Sequence, residues 1–202
     1  MKKLLVTLMV LAVAFGASAK FRWGPTVGAN FMYYYWEQQL VKSTTLPGFN
    51  AGVQCELMIP GIGFGIDFGL KYVNRGGRVA FGEQYIWSSD GIGTTDLRMH
   101  TIQIPVNLRF KWIRMDGFEN YLAPFAYAGP QFNFNVANTD CAAVKRTAGS
   151  VGLGVGAGVE IYKRFQLSGG YIWDVTYDVG THKLDDFTAR LEGWVIDFAV
   201  LF

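Results

Sequence analysis

Cysteine and histidine are scarce in this chain, with two of each in 202 residues. Two cysteines make no disulfide framework. Cys55 falls on the apolar phase of a strand-like stretch and Cys141 in a polar one, so they are expected to stay unpaired. With so few thiols and imidazoles, neither a metal site nor a cofactor is expected. Charge is sparse too: 18 Lys and Arg against 16 Asp and Glu, a net charge of +2. That balance gives no case for nucleic acid as a partner. Beyond the first 19 residues no run of 18 apolar residues occurs, so no transmembrane helix is expected. Helical periodicity is missing as well.

What the chain does have is aromatic residues (16%), 25 glycines and a half-hydrophobic composition. In an exported chain these point to β architecture. Export is expected from residues 1–19. Lys2 and Lys3 form a positive start, Leu4 to Phe15 an apolar stretch, and Ala17-Ser18-Ala19 a small-residue cleavage site. The mature chain would begin at Lys20, leaving residues 20–202 as one domain.

The final stretch organises the rest. Trp194, Ile196, Phe198, Val200 and Phe202 fall on one face, with Gly193, Val195, Asp197, Ala199 and Leu201 on the other. This is strand periodicity with one uniformly apolar face. The same alternation recurs from about Phe21, Phe49, Ile62, Thr101, Tyr121, Val151 and Phe165. The expected fold is all-β, an eight-stranded antiparallel transmembrane β-barrel. A soluble eight-stranded barrel would have no reason to expose so many uncharged apolar faces; hydrocarbon is their natural partner. Short connections are expected after strands two, four and six. Long polar ones are expected after strands one (33–47), three (74–98), five (137–149) and seven (176–188). That pattern places the N-terminus in the periplasm. Two places resist this reading. Pro105 sits mid-strand and suggests a local bulge. Phe125 and Tyr127 fall on the polar phase of strand five, so either they fill the interior or a bulge shifts the register.

From Leu97 to Trp112, around Ile102-Gln103-Ile104-Pro105, the chain resembles the small PorT-like "porin family" outer-membrane β-barrels of Bacteroidota. The resemblance continues through Pro124-Phe125-Ala126-Tyr127-Ala128-Gly129-Pro130, Gly154 to Glu160 and the terminal strand, covering the mature chain. It implies an outer-membrane barrel and carries no shared catalytic residues. Phe198 and the terminal Phe202 resemble the assembly signal of such barrels, read by the barrel-assembly machinery. The partners expected are that machinery and outer-membrane lipid, with no particular protein or ligand identified.

Candidate sites are few. Gly152 to Ala157 matches a G-x-G-x-x-A string, but no helix follows; glycine at every second residue suits a strand that makes room across the lumen. His100 and His182 have no serine or carboxylate at a spacing that forces contact, Ser88 and Ser89 included, so no catalytic residue is expected. His100 reads as an interface residue. Tyr33 and Tyr34 read as an aromatic girdle. Trp36, Tyr85 and Trp87 read as possible loop contacts. Asp178, Asp185 and Asp186 read as solvated loop carboxylates. The inward phase supplies Gln54, Glu56, Asp67, Gln103, Asn107, Arg109, Glu160 and Asp197. A lone buried charge is costly, so Arg109 is expected to pair with Glu56, Asp67 or both. The expected result is a lumen filled with polar side chains that displays surface loops and does not conduct. The alternatives are a narrow small-solute channel and a lipid A-modifying enzyme.

Overall fold

The computed structural model describes residues 20–36, 42–80, 94–113, 115, 117–138, 144–181 and 188–202. Among them run β1 (Lys20–Trp36), β2 (Lys42–Met58), β3 (Phe64–Ala80), β4 (Thr94–Lys111), a 3-10 turn (Phe118–Asn120) and β5 (Leu122–Asn138). Then come β6 (Val144–Arg146), β7 (Gly149–Ile161), β8 (Phe165–Asp174), β9 (Val179–Thr181) and β10 (Thr188–Val200). The eight long strands pair antiparallel in the order β1-β2-β3-β4-β5-β7-β8-β10, and β10 returns to β1. The sheet is therefore a closed eight-stranded barrel. Short β9 and β6 extend it beyond β10 at one rim. Residues 1–19, expected to be a signal peptide, lie outside the described residues with Cys141, His182, Asp185 and Asp186, as do Ser88, Ser89, Tyr85 and Trp87.

Period-two alternation explains the wall. Phe21, Trp23, Val27, Phe64, Ile66, Phe68, Leu70, Leu108, Ile196 and Phe198 stand exposed on the outside. Their neighbours in sequence, among them Thr26, Asp67, Arg109 and Asp197, are buried inside. A face that is apolar on the outside and polar on the inside suits lipid, where closure leaves no unpaired backbone edge. Cys55 lies in β2, half-buried, as a free thiol.

The strands run further than their outward apolar columns suggest. β3 continues to Ala80 and β4 begins at Thr94, taking residues 74–80 and 94–98 from an expected loop. Along these extensions the code inverts. Val79, Leu97 and Met99 point inward and are buried, while Arg78 and Asp96 point outward and pair. Met32, Tyr34 and Trp36 do the same on β1, as do Ala189 and Leu191 on β10. Above the hydrocarbon the wall is built like a soluble barrel, apolar within and polar without.

Both awkward stretches are regular. The β4–β5 register keeps one frame from Lys111↔Phe125 through Leu108↔Ala128 to Ile102↔Phe134 and shifts only between His100 and Thr101. Pro105 therefore sits in a straight strand opposite Gln131, and the expected bulge there is absent. Its side chain turns into the lumen, and the β3–β4 pairing is interrupted beside it, between Phe68↔Val106 and Lys71↔Gln103, with no shift of register. Phe125 and Tyr127 fill the interior. Room for them comes from the glycine strip on β7. A Cβ on Gly156 would lie 2.5 Å from the Tyr127 ring, and one on Gly158 2.5 Å from the Phe125 ring.

The opposite rim has tight connections. Residues 59–63 join β2 to β3, with Gly61 and Gly63 at positive φ. Between β7 and β8 the turn uses Tyr162 (φ 51) and Lys163 (φ 59), a conformation costly for side chains with a Cβ. It is held from outside. Tyr162 donates its N–H to Tyr121 O at 2.9 Å, and the two rings meet edge to face at 6.1 Å. Before β5, Glu119 accepts the N–H groups of Met115 (3.2 Å) and Gly117 (3.0 Å). These bonds, with that of its own backbone N–H first, hold its carboxyl below the usual range.

Candidate functional site

Inward-facing side chains stack in layers along the lumen. At the rim of tight turns lies an ion-pair cluster. Glu56 on β2 is its hub and is fully buried. It accepts from Arg109 Nη1 at 2.7 Å, Lys111 Nζ at 2.9 Å, Gln166 Nε2 at 2.8 Å, and Arg22. Asp67 on β3 accepts from Arg109 Nε. Glu160 on β7 accepts from Lys111 Nζ at 2.8 Å, Gln166 Nε2 at 2.7 Å, and Arg22. The Arg109 guanidinium also lies 3.9 Å from the Phe125 ring centroid. Arg22, Arg109 and Lys111 thus face Glu56, Asp67 and Glu160, and the layer is neutral. Neutrality is the condition for burying this much charge, and only Asp67 Oδ1 among the layer's fully buried carboxylate oxygens is left without a hydrogen bond among the described residues.

The next layer is an amide belt around a small cavity of about 40 Å³. Asn107, Gln103, Gln131, Tyr127, Lys71 and Asp197 are among its lining residues. Gln131 donates to Asn107 Oδ1 at 2.9 Å, and Gln103 to Asn133 Oδ1 at 3.0 Å. Lys71 Nζ reaches Asp197 Oδ2 at 2.6 Å. Asp197 Oδ1 and Asp67 Oδ1 have no partner among the described residues.

A second ion-pair node follows around Arg75, which is 1% exposed. It donates to Asp174 Oδ2 at 2.7 Å, Asp178 Oδ1 at 3.0 Å, Ser150 Oγ at 3.1 Å and Thr101 Oγ1 at 3.3 Å. Asp174 also accepts from Asn133, and Asp178 from the Leu191 N–H. Asp178 is therefore a buried tie between the β8–β9 segment and β10, and not the solvated carboxylate expected of it. The last layer is apolar: Met32, Tyr34, Trp36, Val79, Leu97, Met99, Leu191 and Val195 close the lumen toward the extended rim.

Of the six residues expected in a lumen network, Glu56, Asp67, Arg109 and Glu160 meet in one cluster. Asn107 sits in the amide belt and Asp197 answers to Lys71. Sequence reasoning missed Arg22, Lys111, Gln166, Lys71, Arg75, Asp174 and Ser150 as members. Their inward phase was the available signal. Trp36 is 6% exposed within the apolar layer, which corrects its expected role as a loop contact, and Tyr34 at 1% is an interior residue, not part of a girdle. Both correct the same assumption, that the wall stops where its outward face turns polar. Tyr33 does face outward, with its hydroxyl on Glu192 Oε1 at 2.6 Å. His100 faces outward and hydrogen-bonds Tyr72. Phe198 is exposed on the wall, stacked against Phe165 at 6.3 Å. Phe202 exchanges backbone hydrogen bonds with Trp23 (3.3 and 2.9 Å), carrying the seam two residues beyond the end of β10.

A closed antiparallel barrel with an apolar outer wall and a packed interior defines a class, the small integral barrels of outer membranes. The family model for the outer membrane protein beta-barrel domain matches residues 15–176, and the chain belongs to that family. The protein is thereby an outer-membrane protein. No curated protein matches it. Among solved structures it is similar to the outer membrane protein OprG from Pseudomonas aeruginosa. Identity there is 13% over 91% of this chain and 95% of that one, with a TM-score of 0.53. It is also similar to the outer membrane enzyme PagL (8% identity, 87% and 98% covered, TM-score 0.46). A third is the E. coli Outer Membrane Protein W (14%, 89% and 96%, TM-score 0.42). At these identities the likeness is one of fold alone.

Proposed function

We propose that this protein is a plugged barrel with a structural or interaction role in the outer membrane, presenting loops and neither conducting nor catalysing. It is exported by residues 1–19, its N-terminus lies in the periplasm, and the barrel-assembly machinery reads Phe198 and Phe202. In its motifs the chain resembles the PorT-like barrels of Bacteroidota. The observation that carries this reading is the sequence of layers in the lumen: a neutral ion-pair cluster, an amide belt, the Arg75 node and an apolar cap. A conducting pore needs sites that bind weakly and release. Here the charges are consumed by one another. The non-enzymatic reading is supported by the partner of His100, which hydrogen-bonds and stacks on Tyr72 and not on a serine or a carboxylate.

The channel reading draws on the cavity and its two unpartnered carboxylate oxygens, which mark where a narrow path would run. Purified protein in planar bilayers decides. A silent barrel is expected. Steady, ion-selective conductance from the wild-type protein would replace this reading with a channel.

A further inference from the structure

The rim of tight turns encloses a second cavity, of about 410 Å³, on the far side of the ion-pair cluster from the amide belt. That volume lies in the range of small-molecule sites, which form readily in the mouths of barrels. Three connections build it. Residues 59–63 stand against β4, where Lys111 donates its N–H to Gly63 O at 2.7 Å. Gly63 (φ 78) is required there, since a Cβ would lie 2.3 Å from Lys111 O. The β7–β8 turn folds in from the opposite side of the ring, and the Lys163 carbonyl accepts from Arg22 Nη1. The segment between β4 and β5 supplies Ile113 and Glu119.

Its lining divides by chemistry. Met58, Ile59, Pro60 and Ile113 form an apolar wall on one side. Arg22 and Lys111 lie in the floor, and the exposed Lys20 and Lys163 stand at the mouth. Arg22 spends Nε on Glu56, Nη2 on Glu56 and Glu160, and one Nη1 hydrogen on Lys163 O. A guanidinium carries five N–H groups, so one on Nη1 is unspent, on a side chain that keeps 20% exposure. The ammonium groups of Lys20 and Lys163 form no ion pair among the described residues. The carboxylates of the cavity are already engaged. Glu56 and Glu160 answer the cations of the cluster, and Glu119 accepts the N–H groups of Met115 and Gly117. Four cations against three carboxylates leave the cavity at +1.

One unspent guanidinium donor and a balance of +1 suit a monoanion. A dianion would overshoot the balance, and a cation would add to it. Guanidinium matches carboxylate in charge and geometry, and the apolar wall asks for a hydrocarbon body beside the acid group. We propose that this vestibule binds a small carboxylic acid with an apolar side chain. The carboxylate lies on Arg22 Nη1 between Lys20 and Lys163, and the body lies against Met58, Ile59, Pro60 and Ile113. The ion-pair cluster is the floor, so the site is a blind end and not the mouth of a path. This part rests on the plugged reading above. Conductance is read in bilayers and binding in micelles, so the two can fail separately.

The test is isothermal titration calorimetry of the full barrel in non-ionic detergent micelles, with N-acetylleucine as the probe. N-acetylleucine is expected to bind about tenfold tighter than its uncharged amide, N-acetylleucinamide, through the charge-assisted bond. It is also expected to bind about tenfold tighter than acetate, through the buried side chain. The Lys20→Gln/Lys163→Gln variant is expected to lose most of the advantage of acid over amide, whereas Arg78→Gln at the extended rim keeps it. Equal affinity for acid and amide, or an advantage that survives the double substitution, would overturn the site. Acetate binding as tightly as N-acetylleucine would overturn the role of the apolar wall. Closure of every variant is checked by its heat-dependent gel mobility. Should the double variant not close, Lys163→Gln alone is expected to reduce the advantage several-fold, and an unchanged advantage would overturn the proposal equally.

Discussion

Arg109 shows how much a single residue holds in this lumen. It bonds Glu56, Asp67 and Gln166 and covers a face of Phe125. Removing it leaves Asp67 without a cation partner and Glu56 with only Arg22 and Lys111. Arg109→Ala is expected to cost about 3–5 kcal/mol, read from urea unfolding in lipid vesicles. It is also expected to stay silent in bilayers, because the Arg75 node and the apolar cap remain in series. A variant that conducts would make the Arg109 layer the sole barrier. The glycine strip offers a contrast. A Cβ on Gly154 meets only the movable end of Gln131, at 2.9 Å. One on Gly156 meets Tyr127 and the Gly169 carbonyl at 2.5 and 2.6 Å. Gly154→Ala is expected to leave stability nearly unchanged, and Gly156→Ala to lose about 1–3 kcal/mol through overpacking. Equal effects on the unfolding midpoint would sink this account of the strip. Period two settles which face a residue takes, so Glu56, Asp67 and Arg109 were legible in the sequence as interior. Which cation meets which carboxylate depends on how far each strand is staggered around the barrel. Lys71 and Asp197 are 126 residues apart, and alternation alone carries no trace of their pairing.

Strands were legible where lipid shaped them. The outward apolar columns of β7, β8 and β10 mark those strands clearly. The extensions of β3 and β4 were not, because a search for apolar outward columns stops where Arg78, Arg98 and His100 begin. Their alternation persists with its sign reversed, and Val79, Leu97 and Met99 carry it inward. The terminal strand joins β8 on one side and β1 on the other, so an error there opens the barrel. Phe198→Asp places a carboxylate on the lipid face opposite Val27, at a cost of up to about 2–4 kcal/mol near the midplane. Deleting Phe202 removes the Trp23 pair. Both changes are expected to lower the amount of folded protein in membranes, measured by immunoblot. Normal levels of both would show that the seam tolerates damage. At the other rim the Glu119 turn has a pH sign. A depressed carboxyl stabilises above the ordinary glutamate range and loses that contribution as pH falls through its folded pKa. The protection factor of the Gly117 amide, its exchange rate relative to the unprotected rate at the same pH, is therefore expected to be constant from neutral pH down to that range and to fall only below it.

For the whole molecule, closure sets the behaviour. Every long strand has two partners, so no edge is offered to detergent, and unboiled protein is expected to migrate differently from boiled protein on a detergent gel. Identical mobility would argue for an open sheet. The division of charge between the two halves of the chain has a further consequence. Glu160, Asp174, Asp178 and Asp197 all lie after residue 121, and the cations that answer them in the lumen, Arg22, Lys71, Arg75 and Lys111, all lie before it. A C-terminal half entering a bilayer by itself would carry four uncompensated carboxylates into hydrocarbon. Stepwise insertion of hairpins is thereby penalised, and the route to the native state must bring first and last strands together early, at high contact order and correspondingly slowly. Fragments 20–121 and 122–202 are expected to remain outside vesicles when added singly and to enter them only as a mixed pair.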